Sequence, residues 1–312
     1  MKHIFDRIIQ VVGLAIFAFA LFIIAQEVHK VGLHHLIALV LTTPWWIIGA
    51  VFIVLGADYL VLSGYDILAL KYLKKKLPYS LIFKASSVGF AIGNTVGHSS
   101  ISGGALRYFF YLKHGLSRTN IVMLITFETV MFCLGLMVTY CVAIALLPSA
   151  HLQLSKIHLY LLYLSGVLVL LCLIFYGSCV CKFHKKLCIF KTHIATPTPK
   201  STIAQVIISC MDNLLLNIVF FILLRYHLDI DFVTSFVACV LAMTIGMCMQ
   251  SPGGLGIFEG LILLLLPHTP HESAAILASL ILFRVLYFFV PFILGCLYFI
   301  PYWICDKKKS PH

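Results

Sequence analysis

Charge is what this 312-residue chain has least of: Asp, Glu, Lys and Arg together make up 11% of it. Apolar types make up 62% and the mean hydropathy is +1.05, beyond what a soluble domain of this length needs. No polar segment is longer than about 20 residues, which leaves no room for a soluble catalytic domain. No nucleotide-binding motif is present. The first apolar run lacks the small-x-small site that a signal peptidase needs and reads as a retained signal-anchor helix. The eleven cysteines are scattered through apolar runs, where a free thiol behaves as a small buried hydrophobe, and make no disulfide framework.

Apolar runs long enough to span a bilayer, which takes about 20 residues, lie at 8–25, 45–70, 119–147, 157–180, 201–224 and 272–304. Two further apolar stretches, 79–101 and 232–267, are interrupted by glycine motifs. These are Ser102-Gly103-Gly104-Ala105-Leu106-Arg107 and Ser251-Pro252-Gly253-Gly254-Leu255-Gly256-Ile257-Phe258-Glu259. Gly and Pro break helices, and a membrane tolerates broken backbone only where protein or a water-filled cavity covers it.

The formal net charge of +11 is concentrated in loops. Lys71 with Lys74 to Lys76, Lys182 with Lys185, Lys186 and Lys191, and Lys307 to Lys309 form three clusters, and Lys2 and Arg7 precede the first run. The positive-inside rule puts all of them in the cytoplasm. Short juxtamembrane clusters fix topology and hold anionic headgroups, so no nucleic-acid partner is expected. The spacing Cys179-x-Cys181-x-x-His184-x-x-x-Cys188 resembles a ligand set, but interleaved lysines make it a helix-end charge cluster. No metal and no cofactor are expected.

Followed run by run, the charges are satisfied if 79–113 and 232–267 are re-entrant hairpins rather than crossings. The expected fold is an all-α polytopic membrane protein, a single membrane domain over 1–312. It has about six spanning helices and two hairpins, with both termini cytoplasmic. Residues 45–147 then match 201–304 in inverted orientation, a recurrent transporter plan. The alternative is eight full spans, which also leaves both termini inside.

An ionisable group inside a membrane costs at least about 2.5 kcal/mol on insertion scales and needs a partner or a use. Asp58, Glu128, Asp212 and Arg284 lie within spans, Asp212 with Asn213 and Asn217 nearby, while Arg107 and Glu259 follow the glycine motifs. The arginines suit a phosphate, the acids a cationic group, and a zwitterionic or aminoacylated headgroup needs both. Freed N-H groups at a half-helix start can also contact an anion. Asn94, His98, Ser99, Ser100 and Ser102 add a polar face to the first hairpin.

The run from Asn94 to Arg107, followed by Gly115-Leu116-Ser117, closely resembles the first signature of the lysylphosphatidylglycerol synthase transmembrane-domain family. Ser251 to Glu259 resembles the second. In the bifunctional members, the multiple peptide resistance factors, such a region translocates lysyl- or alanyl-phosphatidylglycerol, and a soluble domain absent here makes it. The resemblance implies a non-enzymatic flippase for a polar-headed phospholipid or glycolipid in the bacterial inner membrane. Gly103, Gly104, Arg107, Pro252, Gly253, Gly254, Gly256 and Glu259 match motif positions. Two other classes stay open: a membrane subunit that supports a lipid-modifying enzyme, and an intramembrane hydrolase. The hydrolase is disfavoured because Ser100-Ile101-Ser102 before Gly103 lacks the Gly-x-Ser-Gly nucleophile pattern.

Overall fold

The computed structural model describes residues 38, 40–96, 99–182, 187–189, 192–194, 198–248 and 256–309. The expected first helix at 8–25 lies outside them, as do His98, Pro252, Gly253, Gly254 and His184. The helices are α1 (Trp45–Tyr72), α2 (Tyr79–Val96), α3 (Ser99–Lys113), α4 (Arg118–Leu146), α5 (Lys156–Lys182), α6 (Pro199–His227), α7 (Phe232–Cys248), α8 (Ile257–Leu265), α9 (Pro270–Phe283) and α10 (Val290–Lys309). A two-strand antiparallel ribbon, β1 (Leu187–Ile189) and β2 (Thr192–Ile194), joins α5 to α6. Among the described residues, five helical stretches are long and apolar enough to cross a membrane: Trp45–Tyr72, Arg118–Ser149, Lys156–Cys181, Pro199–His227 and Glu272–Tyr302. The protein is an all-α polytopic membrane protein.

Helix boundaries follow local chemistry. Ser117 and Thr198 cap α4 and α6 by accepting from the backbone N-H three residues on. The end of α1 is closed by Lys74 at φ 55, which lets Lys75 N-H reach the Leu70 carbonyl at 2.9 Å. The last span departs from the single helix expected over 272–304. A π-helical segment, Arg284–Phe289, separates α9 from α10, and the Phe288 carbonyl there also accepts from Thr95 of α2 at 3.2 Å. An extra residue per turn re-aims side chains, which is why such segments mark functional sites.

Two apolar cores sit at opposite ends of the bundle. In one, the end of α1 (Leu62, Tyr65, Ala69) packs with the start of α2 (Leu81, Ala85), the end of α3 (Phe110, Tyr111) and the start of α4 (Ile121, Leu124). The chain therefore enters through α2, turns, and leaves through α3 at the end from which it came. In the other core, Leu223 and Leu224 of α6 pack with Phe236 to Ala242 of α7, Phe258 to Leu263 of α8, and Ile276 to Phe283 of α9. The start of α1 and the end of α4 join them there. The loop at 151–153 touches both the start of α7 and the end of α8, through Thr234 and the Leu265 carbonyl. This second helical pair also turns back on itself, from the other end of the bundle. The geometry is that of two opposed helical hairpins.

Helices in lipid gain little from apolar burial against one another and associate by close packing. At the first hairpin, α3 approaches α2 so closely that a Cβ on Gly103 would lie 2.5 Å from the Gly89 carbonyl oxygen. Gly103→Ala is expected to cost about 1–3 kcal/mol, read as a lower unfolding midpoint in detergent. Gly49→Ala, where an added Cβ meets nothing within 4 Å, is the neutral control. Helix α5 is peripheral: Tyr140 and Ser165 share a hydrogen bond of 2.7 Å with α4, whereas Tyr160, Leu164, Leu168, Leu171 and Phe175 face outward.

Candidate functional site

The bundle interior holds seven buried charged side chains among the described residues: Asp58, Asp66, Arg107, Glu128, Asp212, Glu259 and Arg284. Six of them are the residues singled out in the sequence. The seventh, Asp66, lies close to the Lys71 to Lys76 cluster, where a polar residue ordinarily marks the end of a span. The available signal was its place eight residues after Asp58 in the same apolar run.

At the first hairpin, Arg107 on α3 reaches two other helices at once. Its Nε lies 3.0 Å from Asp66 Oδ1 on α1 and 3.1 Å from Glu128 Oε2 on α4. Tyr111, one turn on, donates its hydroxyl to the other Asp66 oxygen. The guanidinium also stacks 4.3 Å over the Phe90 ring of α2. One Arg thus serves two carboxyls, and Arg107 Nη2 and Glu128 Oε1 are buried with no hydrogen-bond partner. Unsatisfied buried polar atoms carry a desolvation cost and call for an explanation.

At the second hairpin the signs are exchanged. Glu259 on α8 pairs through Oε1 with Arg284 Nε, and its Oε2 accepts from the Gly256 N-H at 2.7 Å. Gly256 starts α8 at φ +81, a conformation that Gly adopts without strain. The glutamate therefore occupies an N-H at the half-helix start that was expected to be open to an anion. The Arg284 guanidinium also lies over the Phe258 ring at 5.5 Å and over the Phe288 ring at 4.9 Å.

Between the hairpins, α1 and α6 pack side by side and bring the buried carboxyls of Asp58 and Asp212 next to each other. Tyr287 of the π-helical segment donates to Asp58 Oδ2 at 2.6 Å, and Tyr65 donates to Asp212 Oδ2 at 2.7 Å. Asn213 and Asn217, expected to accompany Asp212, instead turn their amides back to the carbonyls of Ser209 and Asn213.

The remaining sequence candidates are dispersed. Asn94 and Ser102 are half-buried at the tip of the first hairpin, where Ser102 Oγ is 3.5 Å from the Gly93 carbonyl. Gly104 is buried against α4, where an added Cβ would meet Ile125 at 2.9 Å.

The model of the lysylphosphatidylglycerol synthase TM region matches residues 10–295. The chain belongs to this family. An uncharacterized protein of Synechocystis is 29% identical over 293 residues, covering 90% of the chain and 87% of that protein. Inner membrane protein YbhN of Escherichia coli is 24% identical over 242 residues, covering 76% and 74%. Phosphatidylglycerol lysyltransferase of Staphylococcus haemolyticus is 24% identical over 254 residues, covering 80% of the chain but 29% of the enzyme. The chain is thus similar to a membrane portion of the lysyltransferases, less than a third of their length.

Proposed function

We propose that the protein, without catalysing a reaction, moves a polar-headed lipid between the leaflets of a bacterial inner membrane. Its headgroup carries a cationic amine, as aminoacylated phosphatidylglycerol does. The observation that carries this reading is the charge imbalance in the interior: among the described residues, five buried carboxyls face two buried arginines. A buried surplus of acid is expensive, and an amine passing between the hairpins offsets it. The unpartnered Glu128 Oε1 and Arg107 Nη2 offer an acceptor for the amine and a donor for the phosphate. Relatives named as phosphatidylglycerol lysyltransferases support the lipid class.

In this scheme residues 45–147 and 201–304 are the two inverted halves, their hairpins are re-entrant, and the termini are cytoplasmic. A lipid-modifying enzyme would supply or consume the cargo. Corresponding elements carry corresponding charges: Arg107 and Glu259 lie on the returning arms of the hairpins, and Glu128 and Arg284 on the helices that follow.

The test is translocation of lysylphosphatidylglycerol in proteoliposomes, followed by labelling with a membrane-impermeant amine-reactive dye. The wild-type protein is expected to expose inner-leaflet lipid to the dye faster than protein-free vesicles. Glu128→Gln keeps the shape but removes one charge, and is expected to slow the movement by about tenfold, the equivalent of 1.4 kcal/mol. Equal rates for wild type, variant and empty vesicles would sink the proposal.

A further inference from the structure

Asp58 and Asp212 are wholly or almost wholly buried, at 0% and 7% exposure, yet none of the ion pairs among the described residues includes either. Each carboxyl receives one tyrosine hydroxyl on its Oδ2 atom. Asp58 Oδ1 is then left buried with no donor, and the Asp212 carboxyl is its neighbouring acid. Two carboxylates only accept, so an approach of this kind is a hydrogen bond only when one of them carries a hydrogen. The orphaned oxygen and the neighbouring acid are explained together by one proton held between them.

Among the described residues the surroundings offer no other neutraliser. On α1 itself the facing groups are Tyr59 and Tyr65; α6 supplies Asp212 and the π-helical segment supplies Tyr287. Of the other helices against α1, α2 carries Lys84, whose ammonium lies over the Tyr298 ring, and α4 carries Glu128, which is paired with Arg107. Position adds a second argument. Asp58 is the fourteenth residue of α1 and Asp212 the fourteenth of α6, counting from Trp45 and Pro199. The two acids are equivalent members of the opposed halves and meet where those halves join. Tyr287 links this pair to the segment that begins with Arg284.

We propose that Asp58 and Asp212 form a proton-binding site at the junction of the two halves, and that loading and release of that proton drive lipid movement. The site itself stands on geometry, whereas its coupling to lipid rests on the transport function proposed above. With one proton on the pair, the halves are held together by a hydrogen bond. Without it, two adjacent carboxylates repel each other at the interface, which favours a second arrangement of the halves.

Two measurements separate the site from its coupling. Infrared spectroscopy of the reconstituted protein at neutral pH is expected to show a carboxylic-acid C=O stretch that shifts when aspartate is isotopically labelled. The band is expected to disappear in Asp58→Asn and in Asp212→Asn and to persist in Glu128→Gln. Absence of a label-sensitive band in the wild type, its survival in both Asn variants, or its loss on adding sodium at fixed pH would overturn the proton site. The labelled wild type decides the matter even if the variants do not fold.

In vesicles of phosphatidylglycerol containing lysylphosphatidylglycerol, a gradient of one pH unit is expected to shift the leaflet distribution by about tenfold per coupled proton. The shift is expected to be absent in both Asn variants. Wild-type translocation indifferent to the gradient would overturn the coupling. No wild-type translocation at all would remove the transport function and the coupling with it, while the infrared result would still decide whether the pair holds a proton.

Discussion

Arg107→Ala is expected to cost about 3–5 kcal/mol of stability, because it leaves Asp66 and Glu128 buried without their shared cation. The loss is expected to appear as a lower thermal midpoint in detergent and a smaller monodisperse fraction on size exclusion. Arg107→Lys is expected to recover only part of it. A lysine ammonium is a compact point charge that cannot reproduce the guanidinium geometry used for both carboxyls and for stacking on Phe90. A triple replacement, Arg107→Met with Asp66→Asn and Glu128→Gln, removes the charges together and is expected to be more stable than Arg107→Ala, since the large cost comes from an uncompensated ion. If Arg107→Ala alone leaves the midpoint unchanged, the two carboxyls are neutralised by something other than this arginine.

The second large effect is expected at the other hairpin. Arg284→Glu places two carboxylates where Glu259 now has a cation, and is expected to cost at least the 3–5 kcal/mol of a broken buried pair. Glu259→Arg is expected to cost as much and to lose the acceptor for the Gly256 N-H as well. In the exchanged double variant the pair is restored with reversed polarity but the helix start stays uncapped. It is expected to remain about 1 kcal/mol below wild type, the usual cost of a lost cap. A double-variant cycle on unfolding midpoints measures the coupling. Additive single effects, with no recovery in the exchanged protein, would show that the two side chains act independently.

These expectations share a physical basis. In lipid, apolar burial contributes little to helix association, which rests on close packing, whereas a buried charge without its partner is penalised heavily. A few ionic contacts therefore add to the close packing in holding these helices. Arg107 connects α1, α3 and α4, Glu259 and Arg284 connect α8 to the end of α9, and Tyr287 connects the π-helical segment to α1. The site proposed for the headgroup and the contacts that hold the hairpins are the same residues. For that reason stability and transport are to be measured on the same variants.

Much of the architecture was legible in the sequence. Hydropathy located α1, α4, α5 and α6 to within about three residues, because long apolar runs in a charge-poor chain have few alternative interpretations. The hairpin at 79–113 was legible for a different reason: a full crossing would have put Arg107, Lys113 and Arg118 on the wrong side. Asp66 escaped notice because nearness to a lysine cluster is the ordinary mark of a helix end. The π-helical interruption escaped notice because Arg284 to Phe289 contains no Gly or Pro to announce it.

The amino-acid sequence by itself determined the class of molecule, most of its long apolar helices, and six of the seven buried charges among the described residues. Composition and charge placement suffice for these, since lipid excludes nearly every other arrangement of so apolar a chain. Only the tertiary structure decided the partners. It gave Arg107 two carboxyls rather than one, gave Glu259 to Arg284 and the Gly256 N-H, and set Asp58 against Asp212 without a cation. Which charge meets which depends on the rotation and register of whole helices. Those are set by close contacts such as Gly103 on Gly89, which no local pattern along one helix records.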